Sequence, residues 1–344
     1  MPPTGFSPRP LDAVTIAGIF TTGEVCMLYR LMRIAPHVTR MIPRHMRWRL
    51  GGIAAVLAYW FWPAKRLATQ KNMSIVLGLP LHHPQVRRTA RLSWYNYGRV
   101  VADYFDLANH SAADYLHSFD NTTYSVSIAL DVVDSLRAQG HGIIISTAHY
   151  GNWDAAGIMI GSRYPTYVIA ERLGDERQNR LFQEERRKFG LNVLMIEDGI
   201  RPLMRLLKQG EIVGTPIDRP VSPKEGVPVQ FFGRTAFVPR GLGALAVKLN
   251  VVILPGFVWY NDHGGFNAKA FTPTFIEKTG DDDADIIHAM QVMYDALEAI
   301  IRSNPTQWYM FRPFWPEEIT DHSGVAPKTA QADPTGARAK RLDL

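Results

Sequence analysis

The sequence predicts an α/β fold, a single domain with a mostly parallel central sheet flanked by helices, preceded by basic, apolar N-terminal helices. Three observations predict it. Short apolar runs alternate with amphipathic segments from residue 143 onward, the pattern of strand–helix–strand units. The 344 residues are 46% apolar and 20% charged, enough for a sizeable core and too apolar for a disordered or collagen-like chain. The net positive charge is confined to one end. Residues 1–100 hold fourteen Lys and Arg against Asp12 and Glu24, a net +12, so the rest of the chain carries −6 of the overall +6.

That asymmetry points to a polyanionic partner, an anionic membrane surface or a nucleic acid. The basic residues are interleaved with apolar runs at Ala17–Phe20 and Val25–Leu31. Gly51–Trp62 is twelve residues without a charge, flanked by Arg47 and Arg49 before it and by Lys65 and Arg66 after it. Twelve residues are too few to span a bilayer, which takes about 20. Trp60 and Trp62 suit a headgroup-level anchor, so residues 1–66 are expected to lie on or dip into a membrane interface. A core helix with basic flanks is the rival reading. The aromatics cluster in one block instead of being spaced for base stacking, which disfavours a nucleic acid. Without a full span or a convincing secretory signal, the expected place is the cytoplasmic side of a membrane. A single cysteine, Cys26, excludes internal disulfides and Cys-based zinc clusters, and fits a reducing compartment.

The elements follow in order. Val86, Ala90, Leu92, Tyr95, Tyr97, Val100, Tyr104 and Leu107 recur at mixed threes and fours, predicting helix between Pro80 and His117. Ile143 to Thr147 reads as a short buried strand, and residues 152–161 as a helix. Tyr167–Ala170 is a strand, 175–189 an exposed amphipathic helix and Leu191–Ile196 a strand. A helix near Pro202 stops at Gly210. Glu211–Ile217 and Val251–Tyr260 are strands, and 284–302 is the last long helix. Residues 320–344 are polar without apolar period and are expected to be a disordered tail. Gly241-Leu242-Gly243-Ala244-Leu245-Ala246 has dinucleotide-type spacing but follows Pro239-Arg240 instead of a strand, and reads as close helix packing.

One constellation carries chemistry. His149 leaves the C-terminal end of the strand ending at Thr147, where ligands and catalytic groups of open α/β sheets sit. Asp154 follows five residues later. On one continuous helix that spacing sets side chains about 140° apart. If His149 lies in the turn and Gly151 lets the backbone double back, Asp154 can accept from one ring nitrogen and leave the other as a base. Such a pair suits removal of a proton from a hydroxyl that attacks a carbonyl, with N–H groups of the helix start facing the developing oxyanion. A structural histidine at a strand end is the rival. No G-x-S-x-G, P-loop or H-E-x-x-H motif occurs.

His149-Tyr150-Gly151-Asn152-Trp153-Asp154 resembles the H-x4-[DE] block of the bacterial lipid A lauroyl/myristoyl acyltransferase family, which includes the phosphatidylinositol mannoside acyltransferases. Lys71–Gly78, Arg186–Gly190, Gly210–Gly214 with Asp218-Arg219, Gly226–Arg234 and Pro305-Thr306-Gln307-Trp308 resemble its further blocks in the same order. The match covers about residues 65–315. The ordered set is far more specific than a lone H-x4-D.

The resemblance implies a catalytic domain over 67–319 that moves a fatty acyl group from acyl-CoA or acyl carrier protein to a glycolipid hydroxyl, at the cytoplasmic face of the bacterial inner membrane. The acceptor would be of lipid A precursor or phosphatidylinositol mannoside type. The thioester is a co-substrate, and neither cofactor nor metal is implied. His149 is then the general base and Asp154 its partner, with Asp218, at a second strand end, replacing or assisting Asp154. A salt bridge to Arg219 is the plainer reading of Asp218. Arg186, Arg219 and Arg234 are candidates for substrate phosphates, with a solvated helix face as the rival for Arg186. Gly233 either lets backbone approach a ligand or makes a tight turn. Trp308, Tyr309, Phe311, Phe314 and Trp315 form either core or a wall of the acyl groove. A lipid ester or thioester hydrolase with the same pair, and a non-catalytic membrane-binding relative, are the alternative functions.

Overall fold

The structure, a computed structural model, describes residues 22–120, 126–172, 175–315 and 340–341. Helices come first: α1 (Thr22–Thr39), α2 (Arg44–Phe61), α3 (Pro63–Leu77), α4 (Pro84–Asp106), α5 (Ala112–His117) and α6 (Val126–Ala138). The α/β part follows with β1 (Ile143–Thr147), α7 (Trp153–Gly161), β2 (Thr166–Ala170), α8 (Glu176–Arg187), β3 (Leu191–Met195), α9 (Ile200–Lys208) and β4 (Ile212–Pro216). A hairpin of β5 (Val227–Phe231) and β6 (Arg234–Val238) leads to α10 (Gly241–Leu249), β7 (Val252–Tyr260), β8 (Phe266–Ala270), β9 (Thr274–Phe275) and α11 (Asp282–Ser303). Of the expected tail only Lys340–Arg341 are described, as β10, pairing antiparallel with β9; the rest, like the run at 17–20, lies outside the described residues.

The main sheet runs β10-β9-β7-β1-β4-β2-β3, with β8 also on β7. Its core β7-β1-β4-β2-β3 is parallel, and β8 and β9 are antiparallel additions. Strand alternation sends Ile144, Val213 and Ile253 to one face, against Leu245 of α10 and Met293 and Leu297 of α11. Ile143, Ile212 and Val252 face the other way, against Leu136 of α6 and Ile158 of α7. Helices on both faces explain why these strands read as unbroken apolar runs. Chain order reverses between β1 and β4: β1 leads through α7 to β2 on one side, and the strand on its other side is β7. Their C-terminal ends therefore frame a topological switch point.

The N-terminal helices pack onto this body. α2 crosses α4 where Gly51 and Gly52 meet Gly98; a Cβ on Gly98 would lie 2.1 Å from the Gly51 carbonyl oxygen. Glycine is required there by proximity. Gly98→Ala should therefore destabilise the protein by about 2–3 kcal/mol, read as a lower Tm in calorimetry. An unchanged Tm would mean that the helices separate freely. The same closeness accounts for Gly243 of α10, which lies against α11, where a Cβ would sit 2.8 Å from the Ile286 carbonyl, whereas Gly241 has open space around it. That stretch is helix packing, as expected.

Candidate active site

His149 stands in the turn after β1, and Asp218 two residues beyond β4. Thr147 and Pro216 are register partners in the parallel pair β1–β4, so residues two further along emerge side by side. The Asp218 carboxylate is 1% exposed and accepts four hydrogen bonds. The His149 backbone N–H donates to both oxygens at 3.1 Å. The ring Nδ1 lies 2.9 Å from Oδ1, and Trp308 Nε1 donates to Oδ2 at 3.0 Å. A carboxylate only accepts, so Nδ1 carries the proton and Nε2 of the neutral ring is left as a base.

The turn is built for this placement. Gly151 has φ +55°, and a Cβ there would fall 2.0 Å from the Val258 carbonyl oxygen. Its N–H donates to the Gln307 carbonyl at 2.9 Å, and that of Asn152 to Val258 at 3.0 Å. Asn152 then caps α7 by accepting from Ala155 N–H at 2.9 Å, and its amide donates to buried Asp103. Tyr309 N–H donates to the His149 carbonyl at 2.9 Å, tying the turn to the segment after Trp308. Of the helix-start amides expected to face an oxyanion, those of Asn152 and Ala155 are thus already bonded. Trp153 and Asp154 keep theirs without a partner among the described residues.

His149 faces a cavity of about 980 Å³ at the C-terminal ends of the strands. Its side chain is 48% exposed, but toward this concavity. Apolar residues such as Ile145, Val168, Val193 and Leu254 form much of the wall. Burial pushes the ring's pKa down, and the Asp218 charge and hydrogen bond outweigh it, so the net shift is upward from 6.5. Burial likewise raises Asp218, but the imidazole and the other donors hold its pKa below the ordinary value of 3.8.

Asp154 is not the hydrogen-bonded partner of His149, which corrects the pairing drawn from H-x4-D. It sits in the first turn of α7, where its Oδ1 accepts from Arg186 Nε and Nη2 at 3.1 and 3.0 Å. The capped helix start aims the carboxylate at the last turn of α8, away from the imidazole's Nδ1. Arg186 is accordingly ion-paired beside the cavity and is no solvated face. Arg219 does not bridge to Asp218, whose oxygens are taken, but pairs with Glu171, both lining the cavity.

Gly233 and Arg234 are not brought to this place. Phe232 and Gly233 form the two-residue turn between β5 and β6, with φ +53° and +71°, and Arg234 begins β6 opposite Phe231. Neither lines the cavity. Two left-handed residues are what such a tight hairpin requires, so the plain turn is the right reading of Gly233. The aromatic block divides: Trp308, Phe314 and Trp315 pack with Phe231, and Tyr309 and Phe311 line the cavity. Sequence reasoning missed Trp308 as a donor to Asp218, and missed Arg312; only the resemblance of Pro305–Trp308 marked this neighbourhood.

Residues 26–317 match the family model described as bacterial lipid A biosynthesis acyltransferase. The chain belongs to this family. A phosphatidylinositol mannoside acyltransferase of Mycobacterium tuberculosis is 30% identical over 259 residues, 73% of this chain and 78% of that protein. One from Mycolicibacterium smegmatis is 31% identical over 202 residues, 56% and 64% of the two chains. A lipid A biosynthesis acyltransferase of Haemophilus influenzae is 24% identical over 182 residues, 53% and 56%. The chain is thus an acyltransferase-family enzyme of lipid biosynthesis, as the ordered motifs implied. Among the described residues no group of three or more His, Cys, Asp or Glu is placed to hold a metal ion.

Proposed function

We propose that this protein transfers a fatty acyl group from an acyl thioester, acyl-CoA or acyl carrier protein, to a hydroxyl of a glycolipid of the phosphatidylinositol mannoside or lipid A precursor type. The observation that carries the reading is His149, oriented by buried Asp218 and facing a large apolar cavity. Nε2 takes the proton of the acceptor hydroxyl as its oxygen attacks the thioester carbonyl. The tetrahedral intermediate then collapses, the C–S bond breaks, and the imidazolium returns the proton to the leaving thiolate. Asp218 holds the tautomer and stabilises the imidazolium. The apolar walls receive the acyl chain. Asp154 and Arg186 hold α7 against α8 beside the cavity.

The same reading seats the enzyme peripherally on the cytoplasmic face of a bacterial inner membrane. Among the described residues, eleven of the thirteen exposed large apolar side chains fall between Ile34 and Leu67. The other two, Ile196 and Ile200, line the cavity, as do Trp62 and Lys65, so apolar surface and cavity adjoin. No helix among the described residues is long and apolar enough to cross a membrane.

The test is an assay with radiolabelled palmitoyl-CoA and either a phosphatidylinositol mannoside or a lipid A precursor. Labelled acylated glycolipid is expected from the wild type. His149→Ala should lower its formation by about 10²–10⁴-fold. Transfer that survives this substitution removes the mechanism, and release of free fatty acid at the same rate without acceptor removes the transferase reading.

A further inference from the structure

Among the described residues three arginines line the cavity, and two of them are spoken for: Arg186 by Asp154 and Arg219 by Glu171. Arg312 has no hydrogen-bonded or ion-paired partner among the described residues, although its guanidinium is partly buried. Asp218 is near enough to act on it through charge, but its oxygens are filled by His149 and Trp308. The backbone that carries Arg312 is fixed. Asn72 donates to the Met310 and Arg312 carbonyls at 3.0 and 2.8 Å and accepts from Phe314 N–H at 3.1 Å. Three residues before Arg312, Tyr309 is bonded to the catalytic turn.

A fixed, desolvated guanidinium without a counterion is costly unless something anionic visits it. Arg312 and Arg219 line the same cavity and repel each other, which an anion between them relieves. The guanidinium fork matches phosphate oxygens in pairs. We propose that Arg312 binds a phosphate group of a substrate in the cavity beside His149. This rests on the acyltransfer reading, in which both donor and acceptor carry phosphates. The group is therefore either the phosphate of the thioester carrier or the phosphodiester of the glycolipid.

The experiment measures binding by titration calorimetry on the full chain, without turnover. Coenzyme A reports the carrier phosphates, with pantetheine as its phosphate-free control. Dihexanoyl phosphatidylinositol reports the lipid phosphodiester, with dihexanoylglycerol as control. Arg312→Gln is expected to weaken one phosphate-bearing probe tenfold or more, and Arg312→Lys to weaken it less. Both controls should stay within twofold of wild type. Loss for coenzyme A assigns the carrier phosphate, and loss for the phosphatidylinositol assigns the lipid. Equal binding of both probes by Arg312→Gln overturns the proposal. So does equal weakening of a phosphate-free control, or a wild type that binds neither probe. An enzyme that binds these probes through Arg312 yet transfers no acyl group would instead sink the acyltransfer reading and leave the phosphate site standing.

Discussion

Asp218→Asn is expected to lower kcat by about 10³–10⁴-fold with little change in KM, and to move the acid limb of the pH–rate profile downward. The chemistry of the pocket sets the magnitude. Three donors converge on the carboxylate: His149 N–H, His149 Nδ1–H and Trp308 Nε1–H. An asparagine offers one oxygen, so its amide N–H₂ faces at least one donor. The ring then relieves the conflict by taking the other tautomer, which puts the proton on Nε2 and abolishes the base. The direction of the pH effect follows from the wild-type balance. His149 must be neutral to act, and its pKa in the folded protein is raised above 6.5, so activity rises with pH through a midpoint above 6.5. Removing the Asp218 charge leaves burial, which lowers the pKa, and the residual activity should titrate at lower pH. Asp154→Asn provides the contrast. Its loss unpairs Arg186, costing about 2–3 kcal/mol of stability for a mostly buried pair, and should move the acid limb far less, because its charge is the smallest of the contributions that raise the His149 pKa. The pH profiles of both variants, with Tm as control, decide which carboxylate serves the histidine. A downward shift with Asp154→Asn alone would reverse the assignment.

Why the sequence pointed first to Asp154 has a physical answer. Spacing along a chain reveals neighbours within one turn or helix, and His149 and Asp154 are such neighbours. The pairing of His149 with Asp218 depends on the register of β1 against β4, sixty-nine residues apart. No local pattern encodes that register; only the placement of both residues just past strand ends hinted at it. The strands themselves were legible because burial on both faces leaves uninterrupted apolar runs, and Ile143–Thr147 is found with the expected bounds. The motif Gly226–Arg234 was visible as a block, but its glycine turned out to serve a hairpin and not a ligand. Arg312 was invisible for the opposite reason. An arginine is distinguished by lacking a counterion, which only the fold shows.

The N-terminal third posed a choice between membrane contact and core, and α2 has one face for each. Trp48, Gly52 and Tyr59 are buried, with Gly52 and Tyr59 packed against Tyr95 and Trp94 of α4. Met46, Leu50, Ile53, Leu57 and Phe61 recur at threes and fours on another face and are 46–80% exposed, as is Trp60. Trp60→Ser combined with Phe61→Ser is expected to weaken binding to phosphatidylcholine–phosphatidylglycerol vesicles about 10- to 150-fold. Each side chain is worth about 1.5–3 kcal/mol when fully buried, and roughly half of that is still to be gained on docking. Tm should hardly move, since substitutions at exposed positions usually cost under about 0.5 kcal/mol. Lys65→Gln with Arg66→Gln should behave differently. These cations, stacked near Trp62 and Trp60, are expected to contribute about 1 kcal/mol each toward an anionic surface. Their loss should therefore weaken anionic vesicles only, and high salt should erase the difference. The aromatic pair should weaken neutral phosphatidylcholine vesicles as well. Vesicle flotation with the wild type and the two double variants separates the two contributions. Unchanged flotation of the Trp60/Phe61 variant would mean that the apolar stripe meets another partner, and that the cavity beside Trp62 does not open onto lipid.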